Sequence, residues 1–377
     1  MFDSYSANSI RPVTVQPLNP HEIWHRHVKA RRVVYLDTNV WIRLTDAQTQ
    51  LSTECLALCR EAVRSGAVIF PLSYASISEL RNQPSDAPRE IQAALMDELS
   101  LGITFRDAHL IEKEEYQIAF QFLVGEDYQP VHRSVLFTYI VDYIGNGVIT
   151  FSDEYTDKQI LAFVEQWKAL PDIRSVSSFL NNSDLNKIKA NQEAHARDYE
   201  IRFSETIKQS SEHFRKSRQF SPERLRLEER MSLFNSKVLP LFQAIMLERY
   251  TPDEVITKTN DICKEFGKRH GRGGPKFIEK LFSLMPATEL FAQLMASRVM
   301  NSKRAVRPQD FWDIEHARTP AAYADAFVTE DRGLVDLLSS RTSIPRTQGC
   351  RVIKGLNSFA DLLREYIPRY GCSHSKS

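Results

Sequence analysis

The chain has 377 residues, of which 42% are hydrophobic and 26% are charged. This composition is ordinary for a globular protein, and the length exceeds what one compact domain usually needs. The 49 basic and 48 acidic residues give a formal net charge of +1. A surface that binds phosphates therefore has to be a local basic patch.

Signals of secretion or membrane insertion do not stand out in the sequence. Five cysteines without a paired spacing pattern favour a reducing compartment over a disulfide framework. No apolar run reaches the roughly 20 residues that cross a membrane, and the first residues do not read as a secretory signal. We therefore predict a cytoplasmic protein without a membrane segment.

Two short apolar runs in the first part of the chain are typical of buried parallel strands. The first, Val33–Leu36, ends at Asp37, and a helix is predicted over 51–65. The second run, Ala67–Phe70, precedes a helix that contains Glu79. Strands and helices that alternate at this spacing indicate an α/β domain with a parallel sheet.

The alternation stops in the middle of the chain, where apolar residues recur mostly at helical spacing. Helices are predicted over 88–99, 112–124, 134–144, 157–170, 233–247, 255–266, 277–285 and 290–300, with one long exposed helix over 184–217. This stretch therefore reads as a large all-helical insertion.

The α/β pattern resumes after the insertion. A helix is expected near Pro308, strands over Ala326–Val328 and Arg351–Ile353, and a closing helix over 358–366. The predicted organisation is an N-terminal extension (1–30), a first core segment (31–86), the helical insertion (87–304), a second core segment (305–366) and a tail (367–377).

Acidic residues recur where this topology brings chain segments together. Asp37 and Asp331 each follow the end of a strand, and the carboxyl ends of parallel strands share one edge of a sheet. Carboxylates gathered there repel each other unless a divalent cation lies among them. Mg²⁺ and Mn²⁺ prefer oxygen ligands, activate water and stabilise the charge that develops on phosphate oxygens.

Four motifs resemble those of the PIN nuclease family. They are Tyr35-Leu36-Asp37-Thr38-Asn39, Ser78-Glu79-Leu80, Asp313-x-x-His316-Ala317 and Asp325-x-Phe327-Val328-Thr329-x-Asp331. The last two are especially similar to a bacterial PIN-like subgroup. The resemblance implies a PIN-like parallel sheet flanked by helices, metal-dependent phosphodiester hydrolysis, and most often RNA as the substrate. In this chain the large helical insertion would interrupt that fold.

The resemblance also implies roles for individual residues. The catalytic candidates are Asp37, Glu79, Asp313, Asp331 and Asp325, and the first four form the expected Mg²⁺ or Mn²⁺ site. Asp325 matches an acid of the subgroup but not of all PIN domains. Asn39 and Thr329 would support the site by fixing loop geometry or by contacting metal-bound water.

Other residues leave two interpretations open. Lys303, Arg304 and Arg307 stand just before Asp313 and are predicted to meet substrate phosphates. His316 either orients a water or carboxylate or packs beside its neighbour, and packing is the favoured interpretation. A basic, glycine-containing loop over 264–276 is either a nucleic-acid contact or a solvated connection between helices.

The function we predict is a metal-dependent endoribonuclease, of the kind that serves as a toxin or anti-phage effector. The alternative is a non-catalytic PIN-like module that binds nucleic acid or protein. A phosphotransferase with Asp37 as nucleophile ranks last, because Asn39 stands where haloacid-dehalogenase-type enzymes need a second aspartate. The helical insertion would offer a surface for a protein partner or for homo-oligomerisation.

Overall fold

A computed structural model describes most of the chain. It covers residues 11–14, 20–46, 49–83, 85–139, 148–151, 175–177, 201–202, 204–210, 212, 221–247, 251–269, 274–300, 309–339 and 344–367. None of the described helices combines the length and the apolarity that a membrane crossing requires.

A four-stranded parallel sheet lies at the centre of the described fold. The strands of the chain are β1 (Arg11–Thr14), β2 (Arg32–Leu36), β3 (Val68–Ile69), β4 (Ile103–Phe105), β5 (Phe137–Tyr139), β6 (Val148–Phe151), β7 (Ala326–Thr329) and β8 (Arg351–Lys354). The central sheet has the order β3-β2-β7-β8, and every neighbouring pair in it is parallel. The strands on either side of the long middle region therefore belong to one sheet.

Helices cover both faces of this sheet. The α-helices are α1 (Pro20–Ile23), α2 (Thr38–Thr45), α3 (Gln50–Arg64), α4 (Tyr74–Arg81), α5 (Asp86–Ser100), α6 (Ala108–Val124), α7 (Pro222–Leu233), α8 (Leu239–Leu247), α9 (Pro252–Arg269), α10 (Gly274–Phe282), α11 (Pro286–Met300), α12 (Gln309–Arg318), α13 (Pro320–Tyr323), α14 (Arg332–Leu338), α15 (Ile344–Gln348) and α16 (Gly355–Tyr366). Single π turns span Trp24–Val28 and Phe234–Val238, and a 3₁₀ turn spans Arg133–Leu136.

Side chains alternate between the two faces of each central strand, and each face packs into its own hydrophobic cluster. Tyr35 and Phe327 belong to one cluster, and Leu36 and Val328 belong to the other. Because both faces are covered, the strands read as continuous apolar runs rather than as alternating ones. This burial explains why β2, β3 and β7 could be predicted from the sequence; β8, at the edge of the sheet, is only partly buried.

The prediction of an all-helical insertion is wrong in three places. β4 and β5 form an antiparallel pair, and β6 pairs antiparallel with β1 in the N-terminal extension. A helix was predicted over 134–144, but the described residues of that span, up to Tyr139, form the 3₁₀ turn and β5. Phe137, Thr138 and Tyr139 are aromatic or β-branched, which suits a strand once a pairing partner is available. The predicted helices over 157–170 and 184–217 lie wholly or mostly outside the described residues.

A buried carboxyl group fastens α11 to the rest of the fold. Both Glu115 oxygens accept hydrogen bonds from the start of α11, namely from the Ala287 N–H (2.7 Å) and from the N–H (3.0 Å) and hydroxyl (2.6 Å) of Thr288. The Tyr323 hydroxyl donates to the same carboxyl group at 2.5 Å. Burial raises the pKa of Glu115 to about 7, against the lowering effect of these donors. The contact fixes the helix whose last turn carries Arg298.

Candidate functional site

Two acidic residues meet where β2 and β7 end. The Thr329 hydroxyl donates a hydrogen bond to Asp37 Oδ2 at 2.7 Å and accepts one from the Asp331 backbone N–H at 3.0 Å. The Asp37 backbone N–H donates to the Val328 carbonyl at 3.0 Å, which continues the pairing of the strands to this point. Thr329 therefore joins the loops that carry Asp37 and Asp331.

Both acids also begin a helix. Asp37 Oδ1 accepts from the Thr38 N–H (2.8 Å) at the start of α2, and Asp331 Oδ1 accepts from the Leu334 N–H (2.9 Å) at the start of α14. Aspartate is a favoured N-cap residue because its side chain pairs a backbone N–H that the helix leaves open. A strand end followed directly by a cap residue thus fixes the position of each carboxylate.

Asp37 is almost fully enclosed, with 7% of its surface exposed. Burial raises the pKa of Asp37, and the charge of Glu79 adds to that effect. The charge of His316 and the hydrogen bond from Thr329 act in the opposite direction. A cation placed near Asp37 would also favour the ionised form.

Asp313, on α12, is coupled to the two strand-end acids. Burial is the largest cause that raises the pKa of Asp313 to about 6, and the negative charges of Asp331, Asp310 and Asp37 raise it further. Arg298 opposes this shift, because its Nη2 lies 2.8 Å from Asp313 and 3.3 Å from Asp310. The carboxylates of this edge therefore repel each other electrostatically, and the positive charge of Arg298 offsets part of that repulsion.

Glu79, on α4, is held by His316. The His316 Nε2 atom lies 2.9 Å from a carboxylate oxygen of Glu79, whose side chain is 32% exposed. Burial would raise the pKa of Glu79, but the hydrogen bond and charge of His316 outweigh it, so the pKa is lowered. The pKa of His316 is raised well above 6.5 despite its burial, through Tyr35, Glu79 and Asp37. Nε2 of the His316 ring therefore faces the Glu79 carboxylate as its hydrogen-bond donor.

Tyr35 holds the other side of the His316 ring. Its hydroxyl lies 2.5 Å from His316 Nδ1, and it also hydrogen-bonds to Ser73 (2.7 Å) and Ser76 (2.9 Å) at the start of α4. Tyr35 lies near the end of β2, two residues before Asp37. A buried network thus ties α4, α12 and β2 together and orients Glu79.

Asp325 does not join these acids, contrary to the catalytic role expected for it from the motif. It precedes β7, where its carboxylate accepts from the Val33 N–H at 2.8 Å and lies 3.5 Å from Arg32 and 3.4 Å from Arg133. Thr329 lies four positions further along the chain, at the other end of β7, which corresponds to roughly 13 Å. Its position at the amino edge of the sheet fits a structural role that ties β2 to β7.

The remaining predicted site residues differ in their burial and in whether the structure describes them. Thr329 is fully buried between the two strand ends, whereas Asn39 lies on the exposed side of α2. Lys303, Arg304 and Arg307 lie outside the described residues.

Two contributors to this edge were missed by the sequence reasoning. For His316, packing was the favoured of two interpretations, and the structure shows the other as well, because the ring contacts the Glu79 carboxylate. Tyr35 had a usable signal, because a tyrosine in a buried strand needs a partner for its hydroxyl. Arg298 had none, since nothing in its local sequence points to Asp313.

The acidic site offers the donor type that a hard divalent cation requires. Asp37, Asp313 and Asp331 present carboxylate oxygens, and the repulsion that raises the pKa of Asp313 is one that a cation relieves. In the part of the chain that the structure describes, no three acidic, histidine or cysteine side chains converge closely enough to hold a metal ion as they stand. The donor chemistry fits the ion, although the side chains do not form a ready three-ligand set.

Known proteins provide no direct guide to this site. Comparisons with protein-family models, with curated proteins and with solved structures found no match to the chain.

Proposed function

We propose that the chain is a metal-dependent nuclease that hydrolyses phosphodiester bonds, with RNA favoured over DNA. The observation that carries this proposal is the coupling of Asp37, Asp313 and Asp331 at the carboxyl edge of a parallel sheet. Binding crevices form at that edge in α/β folds. The resemblance of the motifs to PIN-like nucleases, and the four-stranded parallel sheet flanked by helices, support the same proposal.

Each residue of the site would have a separate role in the proposed hydrolysis. Asp37, Asp313 and Asp331, with Glu79 as a fourth acid, would hold Mg²⁺ or Mn²⁺, which when bound supplies an activated water and stabilises charge on the phosphate oxygens. Thr329 holds Asp37 and Asp331 next to each other through its two hydrogen bonds, and His316 orients Glu79. Arg298 offsets the charge of Asp313 and Asp310.

The direct test compares wild type, Asp37→Asn and Asp361→Asn on labelled single- and double-stranded RNA and DNA. Each reaction is run with Mn²⁺, with Mg²⁺ and with EDTA. Asparagine also caps helices well, so Asp37→Asn should keep the start of α2 while losing the charge. Asp361 is a matched control, because its side chain is 77% exposed on α16.

Cleavage that needs metal, disappears in Asp37→Asn and persists in Asp361→Asn is the expected result. Wild-type protein that folds and binds nucleic acid but cleaves no substrate under any metal condition would contradict the proposal. That outcome would favour the non-catalytic binding module instead.

A further inference from the structure

Arg298, near the end of α11, holds two carboxylates of α12 at once. Its Nη2 atom lies 2.8 Å from Asp313 Oδ2 and 3.3 Å from Asp310 Oδ1. The two acids are three positions apart and therefore lie on one face of the helix. Asp313, one of the acids proposed to bind the cation, thus has a guanidinium group as a partner in this structure.

This pairing accounts for a disagreement at the acidic site. Asp313 is electrostatically coupled to Asp331 and Asp37. Even so, among the residues that the structure describes, no three acidic, histidine or cysteine side chains converge closely enough to hold a metal ion. Asp313 is joined to α11 through Arg298 instead of completing a ligand set with the two strand-end acids.

The two acids that share Arg298 differ in their burial. The Asp310 side chain is 2% exposed, that of Arg298 is 14% exposed, and that of Asp313 is 30% exposed. A buried charge that loses its partner is strongly destabilising. Asp310 therefore has to keep Arg298, whereas the more exposed Asp313 can take another partner. If Asp313 turned away, Arg298 would still have Asp310 beside it.

There is free space beside Asp313 in which its carboxylate can turn. A pocket of about 60 Å³ is lined by Asp313, Arg298, Gly333 and Leu334, among others. A single water needs only about 10–15 Å³ of such space. Gly333 and Leu334 lie in the first turn of α14, whose N-cap is Asp331. The pocket therefore separates the Arg298–Asp313 pair from the segment that carries a strand-end acid.

We infer that Arg298 is an internal competitor for the divalent cation. Without metal it holds Asp313; with metal, Asp313 exchanges the guanidinium group for the ion, and Arg298 stays with Asp310. The positive charges of the arginine and the ion favour this exchange, since they repel each other when both lie against one carboxylate. The inference rests on the proposed function, because that proposal makes Asp313 a metal ligand. It adds that metal binding requires a change of partner within the protein.

The experiment measures metal binding in the absence of substrate. Mn²⁺ is titrated by calorimetry into wild type, Asp310→Asn, the double variant Arg298→Gln/Asp310→Asn and Arg230→Gln. The double variant removes one positive and one negative charge, so the net charge of the site is unchanged. Arg230→Gln is the matched control, because the Arg230 side chain is buried to a similar degree (10% exposed) and pairs with Glu289 instead of a site acid.

The double variant is expected to bind Mn²⁺ about 10-fold more tightly than wild type, because the ion no longer displaces a charge-assisted hydrogen bond. Asp310→Asn should bind Mn²⁺ about 5- to 10-fold more weakly, because Arg298 then depends more strongly on Asp313. Arg230→Gln should match wild type. If the two charges acted only through their long-range fields, their removal together would cancel, and the double variant would keep the wild-type affinity.

The outcomes separate the two proposals. If wild type cleaves with metal but the double variant binds Mn²⁺ no more tightly than wild type, the competition is wrong and the nuclease function stands. If the affinities change as expected while wild type cleaves no nucleic acid, the competition stands and the nuclease function is wrong. Unchanged or tighter binding by Asp310→Asn would also overturn the competition, as would a lack of Mn²⁺ binding by all four proteins. Urea unfolding checks that each variant is folded, and Asp310→Asn alone decides the question if the double variant is not.

Discussion

Replacement of Thr329 by valine removes one hydroxyl group from the middle of the acidic site and keeps the shape of the side chain. Thr329 is fully buried, and its hydroxyl bonds both to Asp37 Oδ2 (2.7 Å) and to the Asp331 N–H (3.0 Å). In Thr329→Val both groups lose this partner at once. The substitution therefore tests whether the two strand ends act as one unit.

The expected loss of stability follows from these two bonds. A hydrogen bond to a charged group contributes about 1.5–3 kcal/mol, and a buried N–H left unpaired costs about 1–3 kcal/mol. The extra methyl group returns less than about 1 kcal/mol through burial. The free energy of unfolding should therefore fall by about 2–4 kcal/mol, seen in urea as a lower midpoint at an unchanged slope.

A second readout concerns ionisation. The Thr329 hydrogen bond lowers the pKa of Asp37, which burial raises. Without that bond the pKa of Asp37 rises further, so more of the residue is protonated at a given pH. The acidic limb of the pH profile of metal-dependent cleavage should move to higher pH in Thr329→Val and stay in place in Thr329→Ser.

Thr104→Val is the matched control. Thr104 is equally buried, lies on β4, and makes one longer bond, to the Thr138 carbonyl at 3.3 Å. It should lose less than about 1.5 kcal/mol and should not move the acidic limb. A Thr329→Val protein with wild-type stability and a wild-type acidic limb would refute the linkage.

Three further predictions concern Asp313 and His316 in the acidic site and Glu115 outside it. Asp313, with its pKa raised to about 6, must lose its proton before it can bind a cation. Cleavage at low Mn²⁺ should therefore rise through about pH 6, with a midpoint that falls as Mn²⁺ increases; a flat profile from acid to neutral pH would argue against this role. His316 has a folded pKa above its ordinary 6.5, so it stabilises the fold fully below pH 6.5 and less as the pH rises toward the folded value; urea midpoints should show this decline in wild type and not in His316→Gln. Glu115→Ala should lower the free energy of unfolding by about 3–5 kcal/mol, because four buried donors lose their acceptor, whereas exposed Lys113→Ala should match wild type.

The parts of the fold that could be predicted from the sequence are those encoded locally. Val33–Leu36 and Ala326–Val328 are buried on both faces, so their apolar runs mark them as strands without knowledge of their partners. Asp37 and Asp331 could be placed because each directly follows such a run and caps the next helix. Strand polarity then brings both to one edge.

The parts that could not be predicted depend on contacts distant in the sequence. β5 is a strand because it pairs with β4, and its own pattern gave a helix. Asp325 has the same motif context as Asp331, and only the length of β7 separates the two ends of the sheet. Arg298 reaches Asp313 through the packing of α11, which Glu115 fixes from a third helix.

The wide separation of the two strand ends has a consequence for the order of events during translation. Thr329 and Asp37 lie 292 positions apart in the chain. At about 5–20 residues per second, a ribosome needs roughly 15–60 s to supply the second after the first. Asp37 lacks Thr329 and Asp331 throughout that interval, and it lacks Asp313 for most of it. The acidic site therefore cannot form on a nascent chain until the segment that carries these three residues has been made.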